Sequence, residues 1–221
     1  PHGYTLLERF HLEGTIPVFT YALADALLEK RIWMAYGTNT TYVTYRLARS
    51  TSPIQLCLRP IGGWRDYHSH QRITTTLPSV QATPDSVQVA FGAFPYWLRV
   101  NQGTFHQAPD WYRDFYHRAE AYRGLDATED LFSPGHFKTT LAPGETLTFA
   151  VSLHPDVSLD GTATYHAERV RQAALLEQAQ VEDAPDWVRQ LVLAADQFIV
   201  ARPLPSGGAK APTTNPGTTG G

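Results

Sequence analysis

The 221-residue chain sets 18 Lys and Arg against 21 Asp and Glu, a net charge of −3 with the two signs interspersed, which excludes the basic footprint of a nucleic-acid-binding surface. Hydrophobic residues at 43% and charged residues at 18% suffice for a sizeable core and exclude wholesale disorder. No apolar run reaches the length of a membrane span, Pro1-His2-Gly3 is not a signal peptide, and Cys57 is the single cysteine, so a reducing cytosol is the expected compartment.

In chain order, the first two-thirds read as β. Leu27 to Ala35 is followed by the polar turn Tyr36-Gly37-Thr38-Asn39 and then by Thr41 to Leu47, a hairpin pattern. In the second run Val43, Tyr45 and Leu47 alternate with Tyr42, Thr44 and Arg46. Ile54, Leu56 and Leu58 alternate with Gln55, Cys57 and Arg59 until Pro60 stops the strand. Cys57 has no evident His partner, and its strand position reads as a structural thiol rather than a nucleophile.

Gly62-Gly63 then predicts a tight turn, followed by Trp64-Arg65-Asp66-Tyr67-His68-Ser69-His70. Aromatic faces beside a guanidinium and a carboxylate suit a sugar, whose CH groups stack and whose hydroxyls take paired hydrogen bonds. Arg65 and Asp66 equally suit a tie between loop and sandwich. His68 and His70 stand two apart, as strand-borne metal ligands do, but no Cys or carboxylate follows at a metal-site spacing and no metal is expected.

Val87, Val89 and Phe91 form another period-two run after Pro84-Asp85. Residues Trp111 to Asp130 hold three arginines and five carboxylates among aromatic residues. Glu120, Asp126, Glu129 and Asp130 are candidates for a glycosidic acid and nucleophile pair. The favoured reading is an ion-pair network under a long loop, with Arg113, Arg118 and Arg123 neutralising the acids, because such carboxylates make poor general acids. The turn Ala142-Pro143-Gly144-Glu145 leads into Leu147, Phe149, Val151 and Leu153, the clearest alternation in the chain. Many short strands separated by Gly and Pro turns predict a β-sandwich.

The period then changes. Thr162 to Gln180 is rich in helix formers, and a second helix starts near Pro185. Its Trp187, Leu191, Ala194, Ala195, Phe198 and Ile199 share one face, which either packs back on the sandwich or meets another domain. Residues 203–221 are rich in Gly, Pro and Thr and read as a disordered linker. The expected division is a β-sandwich over 1–158, a helical segment over 159–202 and this tail. No nucleophile elbow, phosphate loop or dinucleotide fingerprint is present, and no cofactor is implied.

Several motifs together resemble the N-terminal domain of bacterial and archaeal glycogen debranching enzymes, the amylo-α-1,6-glucosidases. They are Glu29-Lys30-Arg31-Ile32-Trp33-Met34 through Gly37-Thr38-Asn39-Thr40 to Val43-Thr44-Tyr45, then Arg65-Asp66-Tyr67-His68. Trp111-Tyr112-Arg113-Asp114-Phe115-Tyr116 follows, continuing through Arg123-Gly124-Leu125-Asp126 to Ser133-Pro134-Gly135, and last Ala194-Ala195-Asp196-Gln197-Phe198-Ile199-Val200. The resemblance covers about residues 4–202, in order. It implies a large, supersandwich-like β-sandwich with one or two C-terminal α-helices, catalytically silent, beside an (α/α)6 barrel that carries the hydrolytic carboxylates. Two helices cannot build that barrel, so the chain reads as part of a longer protein. The implied partners are the barrel, docked through Trp187, Leu191 and Phe198, and branched α-glucan, bound through Trp64, Arg65, Tyr67, His68, Trp111 and Tyr112. No nucleic acid or membrane partner is implied. A purely structural scaffold without sugar affinity is the alternative.

Overall fold

A computed structural model describes residues 3–66, 69–73 and 77–199. In chain order the elements are β1 (Leu7–Glu13), β2 (Ile16–Leu23), β3 (Ala26–Met34), β4 (Thr40–Arg49), β5 (Ile54–Leu58), β6 (Ser79–Ala82) and β7 (Ser86–Phe91). There follow β8 (Phe94–Val100), β9 (Thr104–Tyr116), α1 (Arg118–Tyr122), β10 (Thr128–Leu141), β11 (Thr146–Ser152), α2 (Gly161–Gln178) and α3 (Asp186–Asp196). An eight-stranded antiparallel sheet runs β1-β2-β3-β4-β11-β8-β7-β6 and faces a three-stranded sheet, β5-β10-β9. The chain is thus a β-sandwich with helices at its C-terminal end. Among the described residues no helix is long and apolar enough to cross a membrane. The stretch read as a linker, 203–221, lies outside the described residues.

The predicted hairpin forms as β3–β4, with Leu28 opposite Leu47 and Ile32 opposite Val43. The alternation in β4 sends Val43, Tyr45 and Leu47 into the main core with Leu58, Val87, Phe105, Phe132 and Phe137. Tyr42 enters a second cluster on the other side of the sheet, with Ile16, Trp33 and Ala150, against Leu159 and Tyr165. Both faces of the large sheet are therefore covered where β2, β3, β4 and β11 run: the inner by the small sheet, the outer by α2. Cys57, between the core-facing Leu56 and Leu58, stands exposed on the outer side of the small sheet.

Polar groups do much of the seating of α2. Asp160 caps it by accepting a hydrogen bond from Ala163 N at 2.9 Å. Gly161 lies so close to the sheet that a Cβ would come within 2.4 Å of Thr148 Oγ1 and 3.0 Å of Thr44 Cγ2. Further along, the Gln172 amide donates to Thr15 Oγ1 at 2.9 Å and accepts from Thr15 N at 3.2 Å. Tyr165 donates to Glu13 at 2.6 Å. α3 is tied to α2 by Arg171–Asp196 at 2.7 Å, with Leu176 of α2 and Leu193 of α3 both buried.

Candidate functional site

The segment entered at Gly62 is pinned to β10 by reciprocal backbone bonds, Gly62 N to Phe132 O at 2.9 Å and Phe132 N to Gly62 O at 2.8 Å. Gln71 fastens its far side: the buried amide oxygen accepts from Trp64 N at 2.6 Å, and its carbonyl accepts from Asp130 N at 2.8 Å. This segment lies across the end of the β9–β10 hairpin, so two regions far apart in sequence form one polar assembly.

At its centre Glu129 is buried. Arg65 Nε donates to its carboxylate at 2.8 Å, and His117 Nε2 lies 2.8 Å from the other oxygen. The Arg65 hydrogen bond, helped by His117, holds the Glu129 carboxyl below the usual carboxylate range against the opposing effect of burial. Asp130 is used differently. Its carboxylate accepts from Asp114 N at 3.0 Å and Ile73 N at 2.9 Å, and these two backbone donors lower its pKa. Asp114 has φ +57, and the β9–β10 register slips opposite it. Asp130 therefore satisfies a bulge and the loop at once. Asp126, held ionised chiefly by the Thr128 amide, pairs with Arg72 at 3.3 Å, with His70 4.0 Å away.

The network expected here exists, but with other partners. Of the three arginines assigned to it, Arg123 pairs with Glu120 at 3.4 Å, whereas Glu129 and Asp126 are met by Arg65 and Arg72 from the segment after Gly62. The expected long loop is also smaller: Trp111 to Tyr116 finish β9, α1 follows, and β10 begins at Thr128. Carboxyls held ionised by hydrogen-bond donors cannot lend a proton near neutral pH. Among the described residues no group of three or more His, Cys, Asp or Glu is placed to hold a metal ion.

The residues expected to meet sugar are distributed unevenly. Trp64 is exposed, at 42%, and stacks on Phe94, 56% exposed, with ring centroids 4.9 Å apart and planes 18° apart. Arg65 is committed to Glu129. Trp111 is 9% exposed and packs edge-on against Phe91 and Phe132 in the main core, so its faces do not meet solvent. Tyr112 is half-buried; Arg59 donates to its hydroxyl and lies over its ring, 5.7 Å from the centroid. Tyr67 and His68 lie outside the described residues. Phe94 was not legible as a site residue; its one signal is an apolar residue directly after the tight turn Phe91-Gly92-Ala93, where Gly92 has φ +63. On α3 Trp187 is 67% exposed and Leu191 is exposed beside it; the helix ends at Asp196, shorter than the predicted face, so Phe198, 86% exposed, and Ile199, also exposed, lie beyond it.

Residues 1–148, well over half of the chain, match the family described as glycogen debranching enzyme N terminal. No curated protein matches the chain. The match begins before β1 and ends within β11, so it takes in both sheets and the whole Glu129 assembly. The chain belongs to the glycogen debranching enzyme N-terminal domain family.

Proposed function

We propose that the chain is the non-catalytic N-terminal domain of a glycogen-debranching α-1,6-glucosidase, that it supports a catalytic (α/α)6 barrel, and that it helps to hold branched α-glucan. The observation that carries the reading is the open stripe on α3. Trp187 and Leu191 are large apolar side chains left in solvent on a helix whose Leu193 is buried, Phe198 is exposed in the turn just after it, and exposed apolar patches mark interfaces. The ionised, fully engaged carboxylates of the β9–β10 hairpin favour a supporting role over chemistry. Glucan contact is assigned to Trp64 with Phe94, whose stacked rings offer a sugar-sized apolar surface.

Two experiments test the two halves. Mixed with a separately produced catalytic barrel, the chain is expected to elute with it, and Trp187→Asp to abolish co-elution; an unchanged complex removes the docking assignment. In affinity electrophoresis through glycogen-containing gel the chain is expected to be retarded, and Trp64→Ala to run free. Absence of retardation in the parent chain favours the scaffold without sugar affinity, a reading that the burial of Trp111 and the Arg59 contact on Tyr112 already support.

A further inference from the structure

Between the β1–β2 turn and the two long helices lies a pocket of about 350 Å3, at the small end of the range for small-molecule sites. Helix periodicity builds its walls. Arg169, Gln172 and Leu176 of α2 and Asp186, Arg189 and Leu193 of α3 line it, both sets spaced i, i+3, i+7 on one side of a helix. Leu176 and Leu193 are buried and give the pocket an apolar wall. Trp187 and Leu191, to which docking is assigned, are not among its lining residues.

Its charges do not balance: two arginines face one carboxylate, Asp186. The acids of the neighbouring elements are engaged elsewhere, Glu168 by Arg171 and Gln172 and Glu13 by Arg31 and Tyr165. Arg169 has no carboxylate partner among the described residues; its Nη1 reaches only Gln172 Oε1, at 3.5 Å. That guanidinium lies against the turn because Gly14, with φ +67, presents no side chain: a Cβ there would stand 2.6 Å from Arg169 Nη1. Arg189 Nη1 meets Asp186 at 3.5 Å, but that carboxylate is fully in solvent, and such an exposed pair is weak. Each arginine therefore keeps an Nη2 without a hydrogen-bond partner among the described residues. Planar guanidiniums with donors to spare suit a doubly charged phosphate, and the leucine wall leaves room for more than the bare ion.

We propose that this pocket binds a small phosphorylated metabolite, its phosphate held by Arg169 and Arg189 and its organic part set against Leu176 and Leu193. The test is calorimetric titration of the whole chain with phenyl phosphate, beside orthophosphate and benzoate. Phenyl phosphate is expected to bind more tightly than orthophosphate, which lacks the apolar part, and than benzoate, which carries one charge. Arg169→Gln and Arg189→Gln are each expected to weaken phenyl phosphate about tenfold, the loss of a charge-assisted hydrogen bond. Arg123→Gln, which removes an equal charge from α1, is expected to bind as the parent chain does. Urea midpoints check that the variants are folded. Gln190→Glu, which sets a second carboxylate on the pocket wall, is expected to weaken binding as much without removing an arginine. No binding of phenyl phosphate, affinity unchanged in Arg169→Gln, Arg189→Gln and Gln190→Glu, or an equal loss in Arg123→Gln overturns the site. Benzoate or orthophosphate binding as tightly as phenyl phosphate overturns the phosphorylated metabolite as its ligand.

Discussion

Glu13, at the end of β1, joins three elements through one carboxylate: Arg31 of β3 donates to it at 3.0 and 3.1 Å and Tyr165 of α2 at 2.6 Å. Burial alone would raise its pKa, yet the hydrogen bonds from Arg31 and Tyr165 bring it down from 4.5 to about 2. A carboxyl that ionises more readily folded than unfolded binds fewer protons in the native state, so its stabilisation is complete above the unfolded value and lost as pH falls through the folded one. The urea midpoint of the chain is therefore expected to drop between about pH 4.5 and about pH 2, and Glu13→Gln to flatten that part of the profile. Equal slopes in the two proteins would show that Glu13 is not the group responsible. At this scale the sequence was a partial guide. Arg65, read both as a sugar donor and as a tie between loop and sandwich, makes its charge-assisted bond to Glu129, a recipient no local pattern names because it is 64 positions away. Trp111 illustrates the other limit: an indole in a polar motif reads the same whether it faces solvent or, as here, the core.

At the scale of elements, periodicity marked β3, β4, β5, β7 and β11, which carry their own alternation, but not β1, β2, β6, β8, β9 or β10, among them a β10 buried on both faces; Pro185 and the composition after Thr162 marked the two long helices. What α2 does was not legible. A helix that covers a sheet is ordinarily recognised by an apolar stripe, whereas the buried positions of α2 are Gly161, Glu168, Gln172 and Leu176. Its fit depends on close approach at Gly161 and on amide and hydroxyl bonds to the β1–β2 turn. Gly161→Ala is accordingly expected to destabilise the chain by about 1–3 kcal/mol, the range for forcing a methyl into packed surroundings, measured by urea denaturation. A neutral result would show that Thr148 and Thr44 yield easily and that the helix is seated less tightly than the contact implies. The ion pairs between the segment after Gly62 and the hairpin were likewise beyond sequence reading, since nothing local says which arginine reaches which acid.

For the whole molecule, sequence alone argued the sandwich but not that its larger sheet is covered on both sides, since strict alternation leaves open whether the second face is wet. Tyr42 and Trp33 answer it: they are buried on the side away from the small sheet. The open question at this scale concerned the face of α3: Leu193 is buried and Asp196 pairs with Arg171 of α2, while Trp187 and Leu191 stay in solvent, the surface to which docking is assigned above. Because Trp187 is solvent-exposed, Trp187→Asp is expected to change the unfolding free energy by no more than about 0.5 kcal/mol, which separates lost docking from lost folding in the barrel experiment. The exposed Cys57 bears on the same question from the opposite side of the sandwich. As the chain's one thiol, it is a ready-made attachment point for a single spin label or fluorophore, requiring no cysteine to be removed. A probe there sits across two sheets from α2 and α3, far enough from the docking stripe to leave it undisturbed and fixed enough, on a paired strand, to report the distance to whatever settles upon it.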